Sequence, residues 1–429
     1  MVVKTLFTSA EKLDEIVQEF GTPFHLYDER GIRETARRLH AAFPWVKGPD
    51  GKGFMNYFAV KALPNPHILD ILREEGMGTD CSSDTELLLS KATNITGERI
   101  MFTSNNTPAE EFKLARSLGA IINIDDLMHL PFLEEHAGLP DILCFRYNPG
   151  PLAEGDNTIF DPPEETKYGH RHDQILEAYQ TARDKGVRRF GLHTMIGSNK
   201  LNPNYFVRTA GLLFDLVGEV AEKTGVPIEL VNIGGGIGIP YQPDQEAVDL
   251  DYVSRSIQQA YEEKIKARGL APLQLVMENG RYVTGPQGIL VTQVRHIMQK
   301  YKDFIGVDAS IEDMKRHALY GAYHHITILG RESEPQEKLY TVVDSLCENN
   351  GRFATDRPLP TPTRGDILVV HDTGAHCYAM GGNYNGKRRS SELLLRENGD
   401  VTQIRKPETI DHLFATLHHA GVRCVLDSR

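Results

Sequence analysis

The chain has 429 residues, 40% hydrophobic and 25% charged, the composition of a soluble globular protein too long for one ordinary core. Its net charge of −12, with no dense Lys/Arg block, argues against nucleic-acid binding, and no apolar run approaches the roughly 20 residues of a membrane helix. The five cysteines (Cys81, Cys144, Cys347, Cys377, Cys424) are odd in number and lack a C-x-x-C pair, which argues against a disulfide framework or zinc knuckle; with an N-terminus unlike a secretory signal, they point to a reducing, cytoplasmic setting.

The first strand-like segment is "TPFHLYDE" (22–29). Eight further apolar runs of strand length follow: "FMNYFAV" (54–60), "GMGTDC" (76–81), "RIMFTS" (99–104), "AIINI" (120–124), "ILCFRY" (142–147), "FGLHTM" (190–195), "IELVNI" (228–233) and "LQLVME" (273–278). Helix-like stretches separate them. Ser83 stands three before Glu86, a capping box, and Pro108 is placed at the first position of another helix. Apolar strands alternating with helices predict a parallel sheet covered on both faces, and eight of them over roughly 250 residues predict a closed (β/α)8 TIM-type barrel. After about residue 286, strands such as "GILVTQV", "YTVVDSL", "DILVVHD" and "SSELLL" follow with few helices between them, and Asn398-Gly399 reads as a two-residue hairpin turn. The expected organisation is a segment 1–35 joining the β-domain, a barrel over 36–285, and an antiparallel β-domain over 286–429.

The residues just past each barrel strand form the active face of such a fold. "YFAVKALPNP" (57–66) ends an apolar run on one lysine before two prolines break the chain. Lys61 is either a surface amine or a reactive one facing a cavity. "NIGGGIGIP" (232–240) is a poor dinucleotide fingerprint, since Ile239 stands where a third glycine belongs; it is a tight turn or a phosphate cradle, to which Ser198 of "MIGSN" would add a hydroxyl. "MENGR" (277–281) offers Glu278, a partner for a protonated ring nitrogen, and Arg281, a planar fork for a carboxylate or phosphate. Each residue alone more often has an ordinary role. An amine, a phosphate cradle and a carboxylate on one barrel face suggest pyridoxal phosphate held as an imine to lysine.

"VKALPNP", "HTMIGS", "GGGIGIP", "ENGR", "RHALYG", "LCENN", "HDTGAHCYAM" and "NYNGKRRSSELLL", in this order over residues 60–395, resemble the diaminopimelate decarboxylases of the alanine-racemase-like fold. The resemblance implies pyridoxal 5'-phosphate bound covalently to Lys61, with Glu278 at its pyridine nitrogen and Ser198, Gly235, Gly236 and Gly280 around its phosphate. It implies that Arg281, Arg316 and Tyr320 hold the substrate's distal carboxylate. Cys347 and Glu348 would reach into the partner's site of a homodimer, Cys347 as a proton donor and Glu348 at the distal ammonium. No metal is implied.

Four departures from the family pattern stand out. Asn279 replaces a proline, Met195 the ring-stacking histidine, His376 a phosphate-binding tyrosine, and "CENNG" a "CESGD" loop. Met195 can cover an aromatic face through its thioether, and His376, or Tyr378, can donate to phosphate. His193, two residues before Met195 on the same strand face, reads as a packed or hydrogen-bonded strand histidine. His324-His325 could suggest a metal, but adjacent strand residues face opposite ways. The departures leave open a decarboxylase of another basic or D-amino acid, and a pyridoxal-phosphate-binding protein without turnover.

Overall fold

The computed structural model describes residues 4–150, 163–336, 338–419 and 422; Cys424 lies outside them. Two compact units result, one formed by 32–240 and 246–283, the other by 4–31, 241–245 and the described residues from 284 onward.

Strand β1 (Phe24–Asp28) belongs to the second unit. The first unit is a closed barrel of eight parallel strands: β2 (Met55–Ala59), β3 (Gly78–Cys81), β4 (Ile100–Thr103), β5 (Ile121–Ile124), β6 (Ile142–Arg146), β7 (Arg189–His193), β8 (Leu230–Asn232) and β9 (Gln274–Met277). Each falls within one of the eight apolar runs to within a residue. β9 closes on β2 through Met55 opposite Val276. Because strand side chains alternate with period two, the inward positions form layers. The lower layer is apolar: Tyr57, Met101, Ile121, Ile142, Cys144, Leu230 and Val276 pack together. Further along the barrel strands stand Asp80 on β3, Asn123 on β5, Arg146 on β6, His193 on β7 and Asn232 on β8, all at least nine-tenths buried. The barrel is therefore dry below and polar above, at the ends where chemistry is expected.

The helix Asp84–Ala92 is capped as the sequence suggests at one side only. Ser83 Oγ accepts from the Glu86 N–H, but the Glu86 carboxylate folds back on Ser82, accepting from its N–H at 2.6 Å and its hydroxyl at 2.9 Å.

The second unit contains β10 (Gly288–Gln299), β11 (Asp303–Val307), β12 (Ile326–Ile328), β13 (Lys338–Val343), β14 (Arg352–Leu359), β15 (Ile367–Val370), β16 (Ser391–Leu395) and β17 (Val401–Arg405). The sheet runs β14-β13-β11-β10-β1-β16-β17, with β15 pairing β10 and β12. It is mixed rather than purely antiparallel. β1 pairs β16 in parallel and β11 pairs β13 in parallel, while the other pairings are antiparallel. The β16–β17 hairpin is also one residue longer than expected. Arg396 N–H donates to the Asp400 carbonyl, leaving 397–399 as a three-residue loop in which Gly399 takes φ +88°. The core of this unit gathers Leu290, Val294, Ile305, Ile326, Val342, Phe353 and Leu368. Among the described residues, no helix is long and apolar enough to cross a membrane.

Candidate active site

Strand β2 runs into a single tight turn, Val60–Ala62, which places Lys61 at the C-terminal end of the barrel. Its Nζ lies 3.4 Å from Asp80 Oδ2, at the last inward position of β3. The Lys61 side chain is 54% exposed, so solvent reaches the amine from the mouth while the barrel crowds it from below. Crowding opposes its charge, but Asp80, Glu278 and Glu86 outweigh that and raise its pKa. Asp80 is 1% exposed, and burial together with the Glu278 charge pushes its carboxyl up to about 7 despite Lys61.

Glu278, directly after β9, is gripped from two sides. Asn232 Nδ2 donates to Oε1 at 2.6 Å, and His193 Nε2 stands 3.3 Å from Oε2, too oblique for a hydrogen bond but close enough for strong attraction. Burial would raise its pKa, yet His193, Lys61 and Arg146 bring it down to about 2. The His193 ring is oriented by Asn123, whose Nδ2 lies 2.6 Å from Nδ1. His193 is thus a packed strand histidine, as read from the sequence, and also the principal neighbour of Glu278.

The glycine turn after β8 approaches these groups closely. A Cβ on Gly235 would fall 2.4 Å from the Glu278 carbonyl oxygen, and one on Gly236 (φ +90°) would fall 2.4 Å from the Gly197 carbonyl oxygen, beside Ser198. A Cβ on Gly280 would meet Ala62 Cβ at 2.7 Å, next to Lys61. Only glycine leaves a cradle here. Asn279 makes bonds that a proline could not: its N–H donates to Asn56 Oδ1 at 2.8 Å, and its Oδ1 accepts from the Ile237 N–H. Met195 lies just past β7, its sulfur 3.2 Å from the Gly235 N–H. Arg146, 6% exposed, donates to the Met195 carbonyl and faces Asp125 at 3.7 Å. Arg281 is buried at the start of the next short helix.

The barrel therefore brings together Lys61, Met195, Ser198, Gly235, Gly236, Glu278 and Gly280. This arrangement fits pyridoxal phosphate: an amine, an ionised carboxylate, and a turn whose space a single methyl would fill. A pyridoxal-dependent decarboxylase family model, its pyridoxal-binding domain, matches residues 29–285.

The chain belongs to the pyridoxal-dependent decarboxylases.

The chain is similar to protein TabA of Pseudomonas amygdali pv. tabaci, 41% identical over 404 residues (93% of this chain and 92% of the relative). The diaminopimelate decarboxylase of Methanothermobacter thermautotrophicus is 36% identical over 401 residues, with 93% and 92% covered. Among solved structures, Helicobacter pylori diaminopimelate decarboxylase complexed with L-lysine superposes with a TM-score of 0.85 at 27% identity, covering 94% of this chain and 98% of that one. The M. jannaschii enzyme, also complexed with L-lysine, gives 0.86 at 28% identity, covering 95% and 94%.

As a pyridoxal-dependent decarboxylase, the chain uses pyridoxal phosphate as its cofactor. The remaining sequence-derived site residues lie in the second unit. Arg316 is 2% exposed, at the start of the helix Arg316–Tyr320, and Tyr320 is half-buried at its end. Cys347 is exposed, its N–H held by Asn385 Oδ1, and Glu348 accepts from the Asn350 N–H at 3.0 Å. His376 adopts φ +56°. Tyr378 is 3% exposed, its hydroxyl without a hydrogen-bond partner among the described residues, and the Arg389 and Arg405 guanidinium carbons lie 4.9 and 5.0 Å from its ring centroid. His324 and His325 precede β12 rather than lie in it, with His324 fully buried and His325 half-buried. Sequence reasoning passed over Asp80, Asn123, Arg146 and Asn232. Their common signal is a polar residue at the last inward position of an otherwise apolar strand.

Proposed function

We propose that the protein decarboxylates meso-2,6-diaminopimelate to L-lysine and carbon dioxide. Carrying this reading is Arg316: it is 2% exposed, and no carboxylate lies within ion-pair distance of it among the described residues. A buried cation without an anionic partner wants an anion, and a distal carboxylate separates diaminopimelate from simple diamines. Similarity to diaminopimelate decarboxylases over nine-tenths of the chain supports the same substrate.

Pyridoxal phosphate, when bound, supplies a sink for the electron pair left as the carboxylate departs. Lys61 would hold the cofactor through its ε-amine, and Glu278, ionised far below neutral pH, would keep a proton at the ring nitrogen. Gly235, Gly236, Gly280 and Ser198 would hold its phosphate with His376 as a donor, and Met195 would pack against its ring. Arg281, Arg316 and Tyr320 bind the distal carboxylate, whose absence would leave the desolvated Arg316 without an anion and penalise ornithine by about 1–3 kcal/mol or more. Cys347 and Glu348 serve the neighbouring subunit of a cytoplasmic homodimer, Cys347 returning a proton to the carbon that lost CO2 and Glu348 reading the distal ammonium. Mixing Lys61→Ala with Cys347→Ala protein then restores roughly a quarter of wild-type activity through hybrid dimers; no recovery contradicts the shared site.

A second reading, decarboxylation of another basic or D-amino acid, is favoured by the departures from the family pattern at Met195, Asn279, His376 and the CENNG loop. Carbon dioxide release from diaminopimelate, lysine, ornithine and arginine decides between them. Turnover confined to diaminopimelate supports the first reading, and preference for any other amino acid replaces it.

A further inference from the structure

We infer that His324 and Tyr241 are positioning residues that seat the Arg316 guanidinium so that its outer edge is presented to a carboxylate. The inference rests on the reading of Arg316 as the distal-carboxylate binder.

The seat is built from three contacts. Arg316 Nε donates to His324 Nε2 at 3.2 Å. The Arg316 Cζ lies 5.2 Å from the centroid of the Tyr241 ring, and that ring meets the His324 ring edge-on at 4.9 Å. His324 is fully buried and Tyr241 is 4% exposed. A guanidinium has five N–H donors in a rigid fork. Spending the Nε–H on His324 leaves the paired Nη groups, the edge that matches a carboxylate bidentately; neither hydrogen-bonds among the described residues.

The histidine is itself fixed on two further sides. Its Nδ1 lies 2.8 Å from the His371 carbonyl oxygen, so Nδ1 carries the hydrogen and Nε2 the lone pair that Arg316 needs. Its own carbonyl accepts from Arg357 Nη1 at 2.7 Å, and Arg357 stacks on Tyr323 at 3.9 Å. Swinging Arg316 would break its bond to a residue anchored to β14 and to the end of β15. Positional error of about 1 Å at such a fork costs up to about a hundredfold in effect. The neutral acceptor also explains why a histidine serves here: an aspartate would neutralise the guanidinium and compete with the substrate.

Two substitutions test this. His324→Leu removes the acceptor at similar volume, and His324→Gln restores one through its amide oxygen. The readouts are kcat and KM for diaminopimelate, and competitive inhibition by L-lysine, which retains the distal carboxylate, against 1,5-diaminopentane, which lacks it. His324→Leu is expected to raise KM and the L-lysine inhibition constant by about tenfold or more, with kcat nearly unchanged and diamine inhibition unmoved. His324→Gln stays near wild type. Equal losses for both inhibitors, or a glutamine variant as impaired as the leucine one, overturn the proposal in favour of plain packing. Arg316→Leu separates the underlying reading: if it leaves the preference for L-lysine over the diamine intact, Arg316 does not bind the distal carboxylate, and the seat falls with it.

Discussion

His193 Nε2 stands 3.3 Å from Glu278 Oε2, with both side chains buried inside the barrel. The carboxylate stays ionised down to about 2 although burial opposes its charge. A carboxylate whose folded pKa lies below its ordinary 4.5 stabilises the fold above that value, and the contribution disappears as pH falls through the folded value. His193→Leu should therefore move acid unfolding to higher pH and shift the acid limb of activity upward by roughly one unit. Melting curves recorded between about pH 7 and pH 3 measure this. Superimposable curves for variant and wild type would show that His193 does not hold the charge.

Asp80 has the opposite sign. Its folded pKa, about 7, lies above the ordinary 3.8, so its stabilising effect is complete below 3.8 and fades as pH rises through 7. Asp80→Asn should raise the melting temperature at alkaline pH more than at pH 5, while loosening the Lys61 amine and lowering turnover. A variant less stable than wild type at alkaline pH rules this out.

At Gly235 the cradle has no room for a methyl, since a Cβ would lie 2.4 Å from the Glu278 carbonyl oxygen. Gly235→Ala is expected to purify with little cofactor and to lose at least about a hundredfold in activity, whereas Gly399→Ala in the β16–β17 hairpin should keep both. Cofactor content per subunit gives the answer; full occupancy in the Gly235 variant contradicts the cradle.

Arg189 offers a control at the other end of the barrel. It joins Glu229, through bonds of 3.0 and 2.6 Å, to Glu98, which Lys52 also grips at 2.7 Å. Arg189, with Lys52, holds Glu98 down to about 2. Residues at the N-terminal ends of barrel strands serve stability, not catalysis. Arg189→Met should cost about 1 kcal/mol and leave kcat and KM unaltered. A change in either constant with unchanged stability reverses the assignment.

The barrel was legible because each strand is a short apolar run between helix signals. The candidate site was legible only at strand ends, where Lys61 and Glu278 stand just past the sheet. Asp80 and Asn232 escaped notice because a single polar residue inside an apolar run reads as a blemish until the barrel closes and stacks such residues into one layer. The parallel pairing of β1 with β16 escaped for another reason. Its partners, Phe24 and Ser391 among them, are separated by most of the chain, and no local signal marks which distant strand a segment will join. The seat of Arg316 was invisible likewise, since Tyr241 and His324 meet only in the folded unit.

The role assigned to the Lys61 amine is tested most directly by the near-visible absorption spectrum of the purified Lys61→Ala variant beside wild type, before and after adding diaminopimelate. Wild type should show a protein-bound cofactor band that changes with substrate as carbon dioxide is released, and the variant should show neither the band nor turnover. A variant retaining both would show that Lys61 does not carry the cofactor.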